Sequence, residues 1–243
     1  VYIPLEEVSR LESLPGEGPE WCAVLPRVWR DRDEPALRTL LERARALGFT
    51  GVLIGNLGHL PLVRGLNFHL YGDYGLNVFN SRSLAYLKDK ELESACVSFE
   101  LRFAQIRDLK KVLRAEAIVY GRLPLMITEN CLVQNETGCR LNRQGPCVPE
   151  DGPCRCGQPN VLVDRTGAAF PLLPAYGHRT EIQNSKPLYL ADRPEHRRLG
   201  LAYARLRFTT ETAEECVSVV QNYLDAAPAA GDFTRGLYER GVE

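Results

Sequence analysis

The sequence predicts an α/β fold, a partial or irregular TIM-like (β/α) barrel carrying a Cys-rich loop and a β-hairpin insertion. Three observations predict it. Short, continuously apolar runs alternate with amphipathic segments roughly every 25 residues, the rhythm of parallel βαβ units. No Gly-x-Gly-x-x-Gly turn follows any of these runs, so the dinucleotide fingerprint of an open doubly wound sheet is missing. After Gly121 the alternation stops, and from Cys131 to Pro159 the chain is rich in Cys, Gly, Pro, Asn and Arg.

The run Cys22-Ala-Val-Leu-Pro-Arg-Val-Trp29 reads as the first strand of the repeating pattern. Asp33-Glu-Pro35 then starts a helix with an acidic cap and an early proline. Ala36, Leu37, Leu40, Leu41, Ala44 and Leu47 recur at helical spacing, and Gly48 stops the helix. Thr50-Gly-Val-Leu-Ile54 is the next buried strand. His69 to Asp73 and Gly75 to Phe79 form a further strand region, and Ser81 caps a short helix through Leu87. Ser94 to Phe99 is strand-like and runs into Glu100. A helix through Gln105 and Leu109 precedes the strand Ala115 to Tyr120. Strands this apolar suit a sheet covered on both faces.

Beyond the Cys-rich stretch, Val161-Leu-Val-Asp164, the turn Arg165-Thr-Gly167 and Ala168 to Leu173 make a hairpin. Leu201 to Phe208 reads as a closing strand. Thr212 and Glu215 have capping-box spacing, and Ala213, Cys216, Val217, Val220 and Leu224 line one helical face. Five or six βα strands fall short of the eight a closed barrel requires. The shortfall lies before Trp21, so the barrel is partial, completed by another segment or partner, or lacking its first units. The expected organisation is βα units over 1–130, the Cys-rich loop and hairpin over 131–190, and a closing strand, helix and tail over 191–243, all in one compact domain.

Composition limits the function classes. At 243 residues and 44% hydrophobic content, the chain can bury the core of one domain or at most two. Thirty basic residues against 31 acidic argue against a net-basic nucleic-acid clamp, although a local patch stays open. No segment approaches the roughly 20 apolar residues of a membrane helix. The acidic N-terminal stretch is not a signal peptide, so a cytoplasmic, reducing setting is expected.

That setting governs the reading of the eight cysteines. Cys131, Cys139, Cys147, Cys154 and Cys156 fall within 26 residues. Thiolates gathered so closely point to a soft metal or an iron–sulfur cluster, with a disulfide-stapled loop or unligated thiols as alternatives. Their spacing matches no zinc-ribbon pattern. Cys22, Cys96 and Cys216 sit among apolar residues and read as core. His59, His69 and His196 lack a partner at ligand spacing, whereas His178 follows the hairpin in Ala175-Tyr-Gly-His-Arg179. The predicted strand ends carry Asn56, Asp73, Asn77, Glu100 and Arg122. A lone carboxylate there is also what a helix cap or loop ion pair looks like. Asn77, Glu100 and Arg122 are the candidate catalytic set: a carboxylate beside an arginine stays ionised, and the arginine can take an acidic substrate.

Several segments together resemble the collagenase-like peptidase family of unknown catalytic type, family U32, and most of all the C-terminal part of its long two-repeat members. They are Gly55-Asn-Leu-Gly58, Gly72-Asp-Tyr-Gly-Leu-Asn-Val-Phe-Asn-Ser81, Ser98-Phe-Glu-Leu101, and Tyr120-Gly-Arg-Leu-Pro-Leu-Met126 leading to Cys131. Asp164-Arg-Thr-Gly167, Asn184-Ser185 before Pro187-Leu-Tyr-Leu190, and Phe233-Thr-Arg-Gly-Leu-Tyr238 continue the likeness. The resemblance implies a TIM barrel in which four cysteines hold a 4Fe–4S cluster. It also implies oxygen-independent hydroxylation of RNA or a small aromatic substrate, with a small molecule such as prephenate as oxygen donor. Cys131 and Cys139 then match the first cysteine pair, and Cys154 or Cys156 the third. His178 stands where the family's Gly-Cys-Arg-Asn motif has its fourth cysteine. The family name implies proteolysis instead, yet there is no Gly-x-Ser-x-Gly and no His-Glu-x-x-His. A non-catalytic binding module stabilised by zinc is the third reading.

Overall fold

The computed structural model describes residues 1–16, 18–137 and 158–241. Cys139, Cys147, Cys154 and Cys156 therefore lie outside the described residues. The chain divides into two compact units. The first is Val1–Ala117 with Glu195–Ala204 and Leu237–Glu243, and the second is Ile118–Pro194 with Arg205–Gly236.

Six parallel strands pair in chain order: β1 (Tyr2–Pro4), β2 (Cys22–Val24), β3 (Gly51–Ile54), β4 (His69–Gly72) and β5 (Ser94–Cys96) of the first unit, and β6 (Arg114–Gly121), which starts in the first unit and continues into the second. Helices α1 (Glu34–Leu47), α2 (His59–Val63), α3 (Ser81–Asp89) and α4 (Phe103–Asp108) connect β2 through β6. The sheet curls. Six strands laid flat would separate β1 from β6 by about 24 Å, given some 4.8 Å between neighbours. Tyr2 of β1 nevertheless donates its hydroxyl to Glu116 Oε2 of β6 at 2.9 Å. The result is a half-barrel of parallel strands, with Cys22, Leu53 and Tyr71 clustered on one face against Tyr2 and Val24.

The predicted βα pattern holds in most elements. Pro35 stands in the first turn of α1, Leu37, Leu41 and Ala44 are buried, and Gly48 ends the helix at φ 98°. Cys22 and Cys96 are buried core residues as expected. Three readings need correction. The region before Trp21 does contain a strand: β1 has only three residues, too short to show a period. Gly75 to Phe79 is not a strand. Asp73 Oδ1 accepts from Tyr74 N and caps a 3-10 turn, Tyr74–Leu76, leaving one bridge between Val78 and Val97. The cap of α3 is Asn80, whose Oδ1 accepts from Ser83 N, while Ser81 Oγ accepts from Lys110 N.

The second unit holds an antiparallel sheet of β7 (Pro124–Thr128), β8 (Asn160–Val163), β9 (Ala169–Ala175) and β10 (Arg179–Gln183), in the order β7-β10-β9-β8. The predicted hairpin is β8–β9, its turn tied by Asp164 Oδ1 accepting from Thr166 N and Ala168 N. A short helix, α5 (Leu132–Thr137), follows β7. Strand β11 (Leu188–Tyr189) runs antiparallel to the end of β6, and β12 (Tyr203–Leu206) passes from the first unit into the second.

Helix α6 (Ala213–Asp225) forms with the predicted Thr212–Glu215 capping box, but a neighbouring face packs inward. Val217 and Leu224 are 71% and 70% exposed, while Val219 is buried. Tyr223, one turn beyond Val219, decides the orientation. Its hydroxyl donates to Val119 O at 2.5 Å and accepts from Leu190 N at 2.8 Å, and its ring meets Tyr120 and Tyr189. A tyrosine that buries its ring and satisfies its hydroxyl outweighs the aliphatic stripe.

Two features allow direct tests. Gly121 ends β6 at φ 115°, and a Cβ there would overlap the carbonyl oxygen of Arg207. Gly121→Ala is expected to cost about 3 kcal/mol or more, read as a lowered midpoint in denaturant unfolding. On the first unit's surface, Glu93 accepts from Arg114 Nη2 and pairs with His69 Nδ1. The hydrogen bond to Glu93, followed by its charge, raises the His69 pKa. A raised folded-state pKa contributes stability that is full below the ordinary histidine range and fades as pH rises through the folded value. The melting-temperature gap between wild type and His69→Ala should therefore be larger at pH 5.5 than at pH 9, and a gap independent of pH would refute the coupling.

Candidate functional site

Two places in the structure gather chemistry-bearing side chains. One is the C-terminal edge of the half-barrel, where βα folds keep loops free to vary. Alternation along β3 and β4 carries the face of Leu53 and Tyr71 on to Gly55 and Asp73. Asp73 is buried, and its backbone N–H donates to Ile54 O at 2.8 Å, extending the ladder. Arg27 lies beyond β2 with its guanidinium carbon 5.5 Å from the Tyr74 ring centre, and Tyr74 in turn meets Phe99 at 5.9 Å. Ser98 is buried, and its Oγ accepts from Glu100 N at 3.4 Å.

His59 lies beneath this edge, fully buried and stacked on Trp29. Its Nε2 is 3.1 Å from Pro26 O, and its Nδ1 has no hydrogen-bond partner. Burial pulls its pKa down to about 4, with Pro26 O and Asp73 opposing, so the ring is neutral at neutral pH. A cavity of about 740 Å³ opens nearby, between Leu57, Leu76 and the Asn80–Ser83 start of α3.

Asn77 and Glu100 belong to this unit. Asn77 is exposed at φ 48° and ends the Tyr74–Leu76 turn, a backbone state that Asn tolerates better than most residues. Arg122 belongs to the second unit, where its Nη1 donates to the carbonyls of Asn184, at 3.0 Å, and Ser185. Arg27 escaped the sequence reading because it sits inside an apolar run taken as strand. Strand β2 ends at Val24, which places Arg27 beyond the strand, at the edge.

The second place is one end of the antiparallel sheet. The register pairs Thr128 of β7 with Thr180 of β10, so Cys131, three residues past Thr128, and His178, two before Thr180, leave their strands at the same end. Side chains hold that end together. Thr180 Oγ1 accepts from Leu132 N at 3.0 Å, and Arg179 bonds Glu129 Oε2 and Tyr176 O, each at 3.0 Å. The Arg179 side chain is only 3% exposed. Cys131 is half-buried, and its Sγ accepts from Gln134 N at 3.4 Å. His178 occupies the β9–β10 turn at φ 59°. Of the expected cofactor ligands, these two are described and share one end; Cys139, Cys154 and Cys156 lie outside the described residues. Among the described residues no group of three or more His, Cys, Asp or Glu side chains could hold a metal ion.

A family model described as peptidase family U32 matches residues 15–161. No curated protein and no solved structure matches the chain. The match spans the half-barrel strands β2–β6, β7 and Cys131, and ends before His178.

The Thr180 contact can be tested directly. Thr180→Val keeps the shape but removes the acceptor of Leu132 N, leaving a part-buried N–H unsatisfied at a cost of about 1–3 kcal/mol. Hydrogen exchange at the amides of 131–134 should accelerate while that of β3 and β4 stays unchanged. Equal protection in the variant would mean that Thr180 does not hold the Cys131 turn.

Proposed function

The chain belongs to peptidase family U32, and from that premise we propose an iron–sulfur-supported, oxygen-independent hydroxylase-type enzyme acting on RNA or a small aromatic substrate. The observation that carries the reading is the β7–β10 register, which delivers Cys131 and His178 to one sheet end in a chain with four more cysteines close behind. A thiolate and an imidazole are both iron donors. Cys131 and His178 would be two ligands, with Cys139 and Cys154 or Cys156 as the others. A cluster so held would supply electron-transfer and Lewis-acid chemistry. The chain's own share is positioning: Thr180 fixes the backbone after Cys131, and Arg179 ties Glu129 to the turn before His178. On this reading the half-barrel is a partial TIM-like barrel whose C-terminal edge faces the substrate. A small-molecule oxygen donor completes the reaction.

The same pair supports a second reading, the peptidase of the family's name. A cysteine and a histidine at one sheet end are also the two parts of a thiolate–imidazole dyad. Metal content separates the readings. The full chain prepared without oxygen should contain iron and acid-labile sulfide. Cys131→Ser should abolish both, and His178→Cys should retain the cluster longer in air. Zinc without sulfide would favour the structural module. Neither metal, together with stoichiometric alkylation of Cys131 that depends on His178, would favour the peptidase.

A further inference from the structure

We propose that strand β8 pairs antiparallel with the β8 of a second copy of this chain, so that the protein dimerises through one open edge of the β7-β10-β9-β8 sheet. Among the described residues β8 pairs with β9 alone, which leaves its other side as an edge. An open edge presents unpaired N–H and C=O groups, and proteins ordinarily blunt it with charged side chains, proline or a bulge. β8 has none of these. Its residues are Asn160-Val-Leu-Val163, and Val161, Leu162 and Val163 are 54%, 46% and 58% exposed. Successive side chains point to opposite faces of a sheet, so three exposed apolar residues in a row make this edge apolar on both faces. The sheet's other edge, β7, does carry such devices: it begins at Pro124, and its pairing with β10 shifts register beside that proline.

The hairpin fixes which main-chain groups face outward. Asp164 N donates to Ala168 O at 3.0 Å, so that pair is hydrogen-bonded. Alternation along the ladder makes Leu162–Phe170 and Asn160–Leu172 the next bonded pairs, and it turns the N–H and C=O of Val161 and Val163 away from β9. Pro171 stands opposite Val161, in a pair without bonds, so its missing N–H leaves this ladder intact. The outward groups are their own complement. With Leu162 facing Leu162 of the other copy on a two-fold axis, Val161 of each strand meets Val163 of the other. The two valine pairs then exchange four hydrogen bonds. Pro159 comes next on each side and cannot donate, so the ladder ends there.

The side chains agree with this register. Phe170 and Leu162 of both copies form one apolar row, and Pro171, Val161, Val163 and Ala169 form the rows on either side of it. Asp164 falls opposite Asn160 of the other copy, a carboxylate facing a neutral amide, so no like charges meet. Two strands of four residues make a small contact, below the roughly 1,200 Å² of a stable interface. The expected dimer is therefore reversible, with micromolar affinity. It uses the second unit alone and does not depend on a bound cluster.

The experiment follows the full chain by sedimentation equilibrium under reducing conditions, from micromolar to near-millimolar concentration. Wild type is expected to pass reversibly from monomer to dimer. Val163→Pro removes an outward N–H from each copy without touching the bonds to β9, and should weaken dimerisation about tenfold or more. Leu162→Lys sets like charges face to face on the axis and should do the same. Val217→Lys, on the exposed face of α6, should match wild type. Mild oxidation reads the register. Leu162→Cys should form a disulfide between the two copies of position 162, found by peptide mapping, since the Cα atoms of that pair come within about 4.5 Å. Val161→Cys should not link to itself, because its own counterpart lies on the diagonal, about 7–8 Å away. Circular dichroism melts establish that each variant is folded. Four results overturn the proposal: a wild type that stays monomeric throughout, equal dimerisation of wild type and folded Val163→Pro and Leu162→Lys, loss of the dimer in Val217→Lys, or a series of species beyond the dimer, which is the mark of head-to-tail pairing of β8 with β7.

Discussion

Strand β6 is the constraint on which the rest of the structure depends. It is the longest strand among the described residues, eight residues long, and seven of them are buried. Its first half is the last parallel partner of the half-barrel, through Ser94–Arg114 and Cys96–Glu116. Its second half pairs with β11 and supports the cluster of Tyr120, Tyr189 and Tyr223. The strand ends at Gly121, where positive φ and the Arg207 carbonyl exclude a side chain. Glu116 adds a polar restraint from the middle of the strand. Buried, it accepts the hydroxyl of Tyr2 and so bends the sheet until its first strand meets its last. A buried carboxylate held this way is costly to strand, so both residues resist replacement.

Legibility of the fold followed the length of each element. The helix Glu34–Leu47 and the strand Arg114–Gly121 are long enough to show their periods, and both stand where the residue pattern puts them. Strands of two or three residues, β1 and β11, carry too few positions for any period. Strands β7 and β10 failed for another reason. Leu125 and Met126 are exposed, and Thr180 and Gln183 are buried, so hydrophobicity does not report which residues face inward. Helix α6 shows the limit of periodicity when it is strong. Val217, Val220 and Leu224 make a proper stripe, yet the helix turns Val219 and Tyr223 inward because a tyrosine hydroxyl finds both a donor and an acceptor there.

The candidate site was legible in kind more than in detail. Strand ends and clustered cysteines were visible as chemistry, and Asp73 does stand buried at the edge. Arg27 was hidden because strand β2 stops after three residues, and nothing in Leu25-Pro-Arg27 announces that stop apart from the proline. Asn77 illustrates the converse. An exposed Asn just after a glycine-containing turn looks like a ligand-facing group, and the structure gives it a backbone duty at φ 48°. Backbone demands of this kind depend on the turn type, which two or three residues do not specify alone.

On the proposed reading, the histidine in the β9–β10 turn and the arginine after it act in the same direction. A neutral imidazole in place of a thiolate removes one negative charge from a cluster's donor set, and Rieske-type centres show that this raises the potential. Arg179 places a permanent positive charge one residue away, in a side chain shielded from water and ordered by Glu129. Buried charge is poorly screened, so its field also favours the reduced, more negative state. Glu129 offsets part of that field, but its side chain is 59% exposed and water screens it more effectively than the arginine. Were a cluster held there, His178 and Arg179 would together make it accept electrons more readily than an all-cysteine one. The same turn also serves the peptidase reading, in which His178 would be the imidazole partner of Cys131. What separates the readings is whether the remaining cysteines join Cys131 on one metal group, and that is a question of composition before it is one of kinetics.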